Sequence, residues 1–158
     1  MKREHFTLSA SNVDWIETDS DPKKPAVTID CTGPATLLRD RLTGPDGEPL
    51  EARETDAALR LQGPIDAEDT DGVVSVTNRV TGEFVLELNV PAQDVLQFIR
   101  AARGYDEDTT DDDGGRYHVT ITLDGEPFVE YEKRTFLVYD DDGDLLRHRS
   151  LIPSGVEL

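Results

Sequence analysis

Tyr117-His118-Val119-Thr120-Ile121-Thr122-Leu123 alternates strictly between apolar and polar side chains. Successive side chains of a β-strand point to opposite faces, so this period of two sends one face into a core and the other into solvent. The period recurs in Phe6/Leu8/Ala10, Val27/Ile29/Cys31, Ala57/Leu59/Leu61, Val74/Val76 and Phe84/Leu86/Leu88. No other feature constrains the fold as much, because strands wetted on one face are those of antiparallel sheets. Asp124-Gly125 is a tight-hairpin signal between 117–123 and 127–132. Val80-Thr81-Gly82 is expected to turn 73–79 into 83–89, and Asp141-Asp142-Gly143 to turn 135–140 into 144–151.

Two segments change period. Residues 92–103 put Val95, Leu96, Ile99 and Ala102 on one helical stripe, with Gly104 just beyond. Residues 35–42 form a shorter helix, ended by Thr43-Gly44-Pro45. Pro34 and Pro91 stand where a first-turn proline belongs. Polar loops cover 17–24, 44–55, 63–72 and 105–115, and none has the character of an interdomain linker. The expected fold is α+β: a largely antiparallel sheet of about eight or nine strands, with two helices on one face. It occupies 1–158 as a single domain. Val27-x-Ile29-x-Cys31-x-x-Pro34-Ala35 also echoes Phe84-x-Leu86-x-Leu88-x-x-Pro91-Ala92, which suggests a duplicated strand–helix–strand–strand unit.

Charge enters next. Asp plus Glu total 34 against 16 Lys plus Arg, for a formal charge of −18. Asp outnumbers Glu, and only four of the 16 bases are Lys. In dilute salt such an excess repels itself and weakens the compact state. At molar salt the Debye length falls to roughly 3 Å, so the repulsion is screened while hydrated carboxylates keep the chain soluble. The bias runs through every loop, which reads as halophilic adaptation to a salt-rich cytoplasm. Charge therefore says little about partners, and an acidic mimic of nucleic acid is the competing reading. No apolar run exceeds four residues, which excludes a transmembrane helix. Met1 to His5 lead into a strand pattern without a signal-peptide core, so the expected location is cytoplasmic.

No catalytic constellation stands out. Asp140-Asp141-Asp142-Gly143-Asp144 invites a calcium reading, but the EF-hand Gly and final Glu positions both hold leucines, Leu145 and Leu151. A hairpin turn explains the segment better. The acids from Asp106 to Asp113 have no ligand spacing and read as a loop. His5, His118 and His148 lie in separate segments, which argues against a zinc site or triad. Cys31, the only cysteine, fits the buried face of a strand, and Trp15 reads as a core plug. No cofactor is expected.

The segments Arg3-Glu4-His5-Phe6-Thr7-Leu8, Ser11-Asn12-Val13-Asp14-Trp15, Leu42-Thr43-Gly44-Pro45-Asp46-Gly47, Asn78-Arg79-Val80-Thr81-Gly82 and Leu151-Ile152-Pro153-Ser154-Gly155-Val156-Glu157-Leu158 resemble a haloarchaeal family that is a domain of unknown function. That resemblance implies a single domain and a salty cytoplasm, and no activity. The rhythm from Phe84 through Leu123 is also similar to the halves of DNA sliding-clamp domains. Clamps set basic residues along DNA-facing helices, which here would be Arg39, Arg41, Arg100 and Arg103. Arg147 and Arg149 form a further positive stripe if 144–151 is a strand; pairing with Glu130 or Glu132 is the plainer role.

The leading expectation is a non-enzymatic binding or interaction module with an unknown protein partner, marked by an exposed apolar patch. The alternative is a clamp-like, nucleic-acid-associated accessory protein that uses these arginines. An enzyme with a carboxylate-bound metal comes third.

Overall fold

All the alternating segments form strands in the computed structural model, which describes residues 5–13, 15, 23–33, 35–64, 67, 69–108 and 116–152. The strands are β1 (Phe6–Ser11), β2 (Ala26–Cys31), β3 (Thr55–Leu61), β4 (Asp71–Asn78), β5 (Phe84–Pro91), β6 (Tyr117–Leu123), β7 (Glu126–Lys133) and β8 (Leu137–Tyr139). Two helices interrupt them, α1 (Ala35–Arg41) and α2 (Ala92–Asp108). Strands dominate, and the fold is α+β.

The strands divide into two mixed sheets of four, ordered β1-β2-β6-β7 and β5-β4-β3-β8. Most pairs are antiparallel, as one-sided burial demands, but β2 pairs with β6 and β3 with β8 in parallel. Each parallel contact closes a crossover between distant segments, which alternation cannot reveal. The string β2–α1–β3–β4 recurs as β5–α2–β6–β7, and each unit gives its first strand to one sheet and its hairpin to the other. The neighbours differ, however: β2 lies parallel to β6, whereas β5 lies antiparallel to β4.

Register explains the core. In the first sheet Val27, Val119 and Tyr131 form one cross-strand row, and Ile29, Ile121 and Val129 the next. In the second sheet Leu59, Val74 and Leu88 do the same, with Val138 beside Leu59. All of these are buried and belong to one hydrophobic cluster. Leu38 and Leu42 join it from the α1 segment, and Val95, Phe98 and Ile99 from α2. The helix α2 packs on β3, β4 and β5, while α1 touches β5, so both helices lean on the second sheet. Phe98 meets Tyr117 edge-on at 5.2 Å between ring centroids, which ties α2 to β6 as well.

The hairpin signals mostly hold. Asp124 and Gly125 both take positive φ (52° and 85°), as a two-residue β6–β7 turn needs. Gly82 does so in the β4–β5 turn, where the Asn78 side chain accepts the amides of Val80 and Thr81.

Two expectations are corrected. The second helix runs to Asp108, five residues past 103, with Gly104 inside it. A helical glycine costs only about 1 kcal/mol, which does not stop a packed helix. Residues 144–151 form a turn with single bridges at Leu145 and Leu151, not a strand. Ser150 is the reason: its hydroxyl donates to the Leu146 carbonyl and accepts the Val138 amide, replacing ladder bonds. Arg147 and Arg149 therefore share no strand face. The acidic stretch 109–115 and residues 153–158 lie outside the described residues.

Candidate functional site

The residues of the second sheet that point away from the core form its outer face. Tyr139, Arg60, Val73 and Asn89 make one row across β8, β3, β4 and β5, and Leu137, Ala58, Ser75 and Glu87 the next. Asp56, Thr77 and Phe84 make a third, displaced by the β-bulge between Val76 and Thr77. These rows, Asn89 apart, line a groove of about 540 Å³, together with Arg79 and Thr135. The bulge between Val76 and Thr77 bends the strand at that end of the face.

The groove mixes an apolar floor with charged walls. Ala58, Val73 and Leu137 are half-buried or buried, while Arg60 and Phe84 are exposed. Phe84 is 55% exposed and Val80, in the adjoining turn, is 72% exposed. Together they make an apolar tip on the β4–β5 hairpin. The third large exposed hydrophobic among the described residues, Leu37, is on α1. At the groove's end Arg79 grips Asp56 with Nη2 to Oδ1 at 2.6 Å and Nε to Oδ1 at 3.2 Å. The hydrogen bond to Asp56, and then its charge, raise the Arg79 pKa. Both side chains remain substantially exposed, so the pair orients groups and adds little stability.

The outer face of the first sheet differs. It carries Thr28, Thr120, His118, Glu130 and Glu132, all hydroxyls, imidazole or carboxylates. His118 Nδ1 is 2.6 Å from Glu132, which also takes Lys24 at 3.1 Å. Thr122 hydrogen-bonds Asp30 across β2 and β6. Several polar groups of this face are thus paired with one another.

Below the groove lies a buried base that alternation could have found, because Lys133 has the same parity as Val129 and Tyr131. It faces the core at the end of β7 and is 9% exposed. Its Nζ donates to the carbonyls of Ala52 at 2.7 Å and Thr55 at 2.5 Å, and to Thr55 Oγ1 at 3.3 Å. Burial lowers its pKa to about 8, partly opposed by Asp56 and reinforced by Arg79. All three ammonium protons have acceptors, so Lys133 is a structural strut and not a free nucleophile. Tyr131 makes a parallel tie, donating to the Leu50 carbonyl at 2.7 Å, and burial followed by Glu54 pushes its pKa up to about 12.

The arginines read as basic candidates separate. Arg39 lies over the Phe128 ring, 5.3 Å from its centroid, and Arg41 Nη1 donates to the Val85 carbonyl. Arg103 Nη2 donates to the carbonyls of His148 (3.2 Å) and Ser150 (2.7 Å), which fastens α2 to the C-terminal turn. Arg100, Arg103 and Arg149 line one pocket; Arg39, Arg41 and Arg147 do not line it. Glu130 and Glu132 contact His118, and Glu132 also Lys24.

The remaining candidates resolve into structure. One carboxylate oxygen each from Asp140, Asp141 and Asp142 falls within 4.8 Å of the others. Asp140 Oδ1, however, accepts the amides of Asp142 and Asp144 at 2.9 Å, so the segment is a side-chain-locked turn. Cys31 is buried and free, and Trp15 is buried. The three histidines stand on β6, before β1 and in the C-terminal turn, and no group of metal-ligating side chains among the described residues includes one. No helix among the described residues is long and apolar enough to cross a membrane.

No curated protein and no solved structure matches this chain. A family model described as "Family of unknown function (DUF5793)" matches residues 1–158, and the chain belongs to that family.

Proposed function

We propose that this protein is a non-enzymatic binding module whose partner-facing surface is the outer face of the second sheet. The observation that carries this reading is the contrast between the two sheets. One outer face carries hydroxyls, an imidazole and carboxylates, several of them paired with one another; the other leaves a 540 Å³ groove with an apolar floor, unlike charges on its walls and an exposed Phe84 at its mouth. Exposed aromatic and arginine side chains beside a hollow are the groups that anchor protein interfaces. Arg79 and Asp56 are paired at one end of the groove, which fixes their orientation towards a partner.

The working solvent is part of the proposal. With 34 acids against 16 bases, the module fits a salt-rich cytoplasm, where screening relieves its self-repulsion. In such a solvent recognition relies on apolar area and short, geometrically fixed hydrogen bonds more than on long-range attraction. The clamp-like reading gains less support, since Arg39, Arg41 and Arg103 are spent on internal contacts. Capture from a native extract in multimolar potassium chloride, with the intact protein against Phe84→Asp, tests the reading. Loss of captured protein with the variant supports it, and an unchanged set contradicts it.

A further inference from the structure

We infer a second binding site, for a small organic phosphate, in the pocket between α2 and the C-terminal turn. Leu96, Ile99, Arg100 and Arg103 follow helical spacing and so share one face of α2. His148 and Arg149 close the opposite wall, leaving about 300 Å³. That size suits a compact ligand.

In a chain with about two acids for every base, four of the six lining residues among those described are Arg or His and none of the six is an acid. Arg100 has Leu96, Gln97, Arg103 and Gly104 at its i±3 and i±4 positions, and none of these is a carboxylate. The side chains of Arg100 and Arg149 make no hydrogen bond or ion pair with any described residue. Arg103, by contrast, is committed: its two bonds to the His148 and Ser150 carbonyls hold the turn against the helix. The braced turn fixes the backbone of Arg149 opposite Arg100, so binding has only the two guanidinium-bearing side chains left to order. Planar guanidinium forks match phosphate oxygens, and the buried Leu96 and Ile99 floor accepts the organic group the phosphate carries. The site uses other elements than the sheet groove and does not depend on that reading.

Phenyl phosphate and inorganic phosphate, titrated at fixed ionic strength into the full chain and followed by amide and arginine side-chain NMR shifts, test the site. The expected result is saturable shifts at Arg100, His148 and Arg149, tighter for phenyl phosphate. Arg100→Gln and Arg149→Gln should each weaken binding by roughly tenfold to a hundredfold, the loss expected for one charged hydrogen-bond partner. Arg53→Gln, on the 3₁₀ turn before β3, should leave it unchanged. Linear shifts spread over all arginines, equal affinity for the two phosphates, or unaltered binding in both pocket variants would overturn the proposal. So would oligonucleotide binding in the absence of any phenyl phosphate binding.

Discussion

The ammonium of Lys133 donates to the carbonyl oxygen of Ala52 at 2.7 Å, and so joins the last residue of the first sheet to the 3₁₀ turn that launches the second. Tyr131, two residues earlier on the same face, makes the matching bond to Leu50. These two ties hold the inner edge of one sheet to the segment leading into the other, directly below the groove.

Stability should rise with pH from about 8. Lys133 has a folded pKa lowered to about 8 from 10.5, so between these values the unfolded chain binds more protons than the folded one. The burial cost is fully present below pH 8 and is relieved as pH climbs, worth on the order of 3 kcal/mol across the whole window. Above pH 10 the trend reverses. Tyr131 and Tyr117 have raised pKa values, so the unfolded chain ionises first and gains. Urea midpoints from pH 7 to 11 at fixed salt should show a maximum near pH 10. Lys133→Met should flatten the rising limb, and a limb that survives in the variant would contradict the assignment.

The core should be intolerant of cavities. Leu88 is fully buried in the central row of the second sheet, facing Val74. Leu88→Ala should cost about 2–5 kcal/mol, whereas Val80→Ala on the exposed turn should stay within about 0.5 kcal/mol. Denaturant unfolding of both variants checks the contrast.

Arg103 and Arg100 sit three residues apart on α2 and should behave differently. Losing the Arg103 bonds to two carbonyls should destabilise by about 1–3 kcal/mol. Arg100→Gln should change stability by less than about 0.5 kcal/mol. Equal melting temperatures for the two variants would rule out a bracing role for Arg103.

Calcium or magnesium added at fixed potassium chloride should leave the thermal midpoint unmoved. The Asp140 carboxylate already serves two backbone amides, and Asp141 and Asp142 are exposed. Asp140→Ala, by removing those bonds, should lower the midpoint with or without the cations. A cation-dependent rise that vanishes in Asp140→Ala would restore a metal site.

Much of the fold was legible because burial on one face writes itself as period two. Val119 and Ile121, or Leu86 and Leu88, need no partner strand to be recognised as inward-facing. Pairing is another matter: nothing local in Val27-Thr28-Ile29 says that its neighbour is Val119-Thr120-Ile121, about ninety residues away and parallel. The strand expected at 144–151 failed because the Ser150 hydroxyl competes with the backbone for its own turn, an effect weaker in pattern than in energy. The candidate groove was hidden for a related reason. Ala58, Val73 and Leu137 look like ordinary strand residues until three strands align them with Arg60 and Tyr139. Of the arginines, the sequence showed their number on the helices but not that Arg39 and Arg41 would turn to Phe128 and Val85 while Arg100 and Arg149 faced one pocket.

The central claim is that the outer face of β5-β4-β3-β8 is the binding surface. Capture from native extract in multimolar potassium chloride, using the intact chain, Phe84→Asp/Arg60→Glu and Leu37→Asp on α1, followed by hydrogen exchange on the recovered complex, tests it most directly. The account predicts that the intact chain and Leu37→Asp retain the same partner, that the groove variant loses it, and that β3 and β4 gain protection. Retention of the partner by the groove variant, or protection confined to the first sheet, would contradict it.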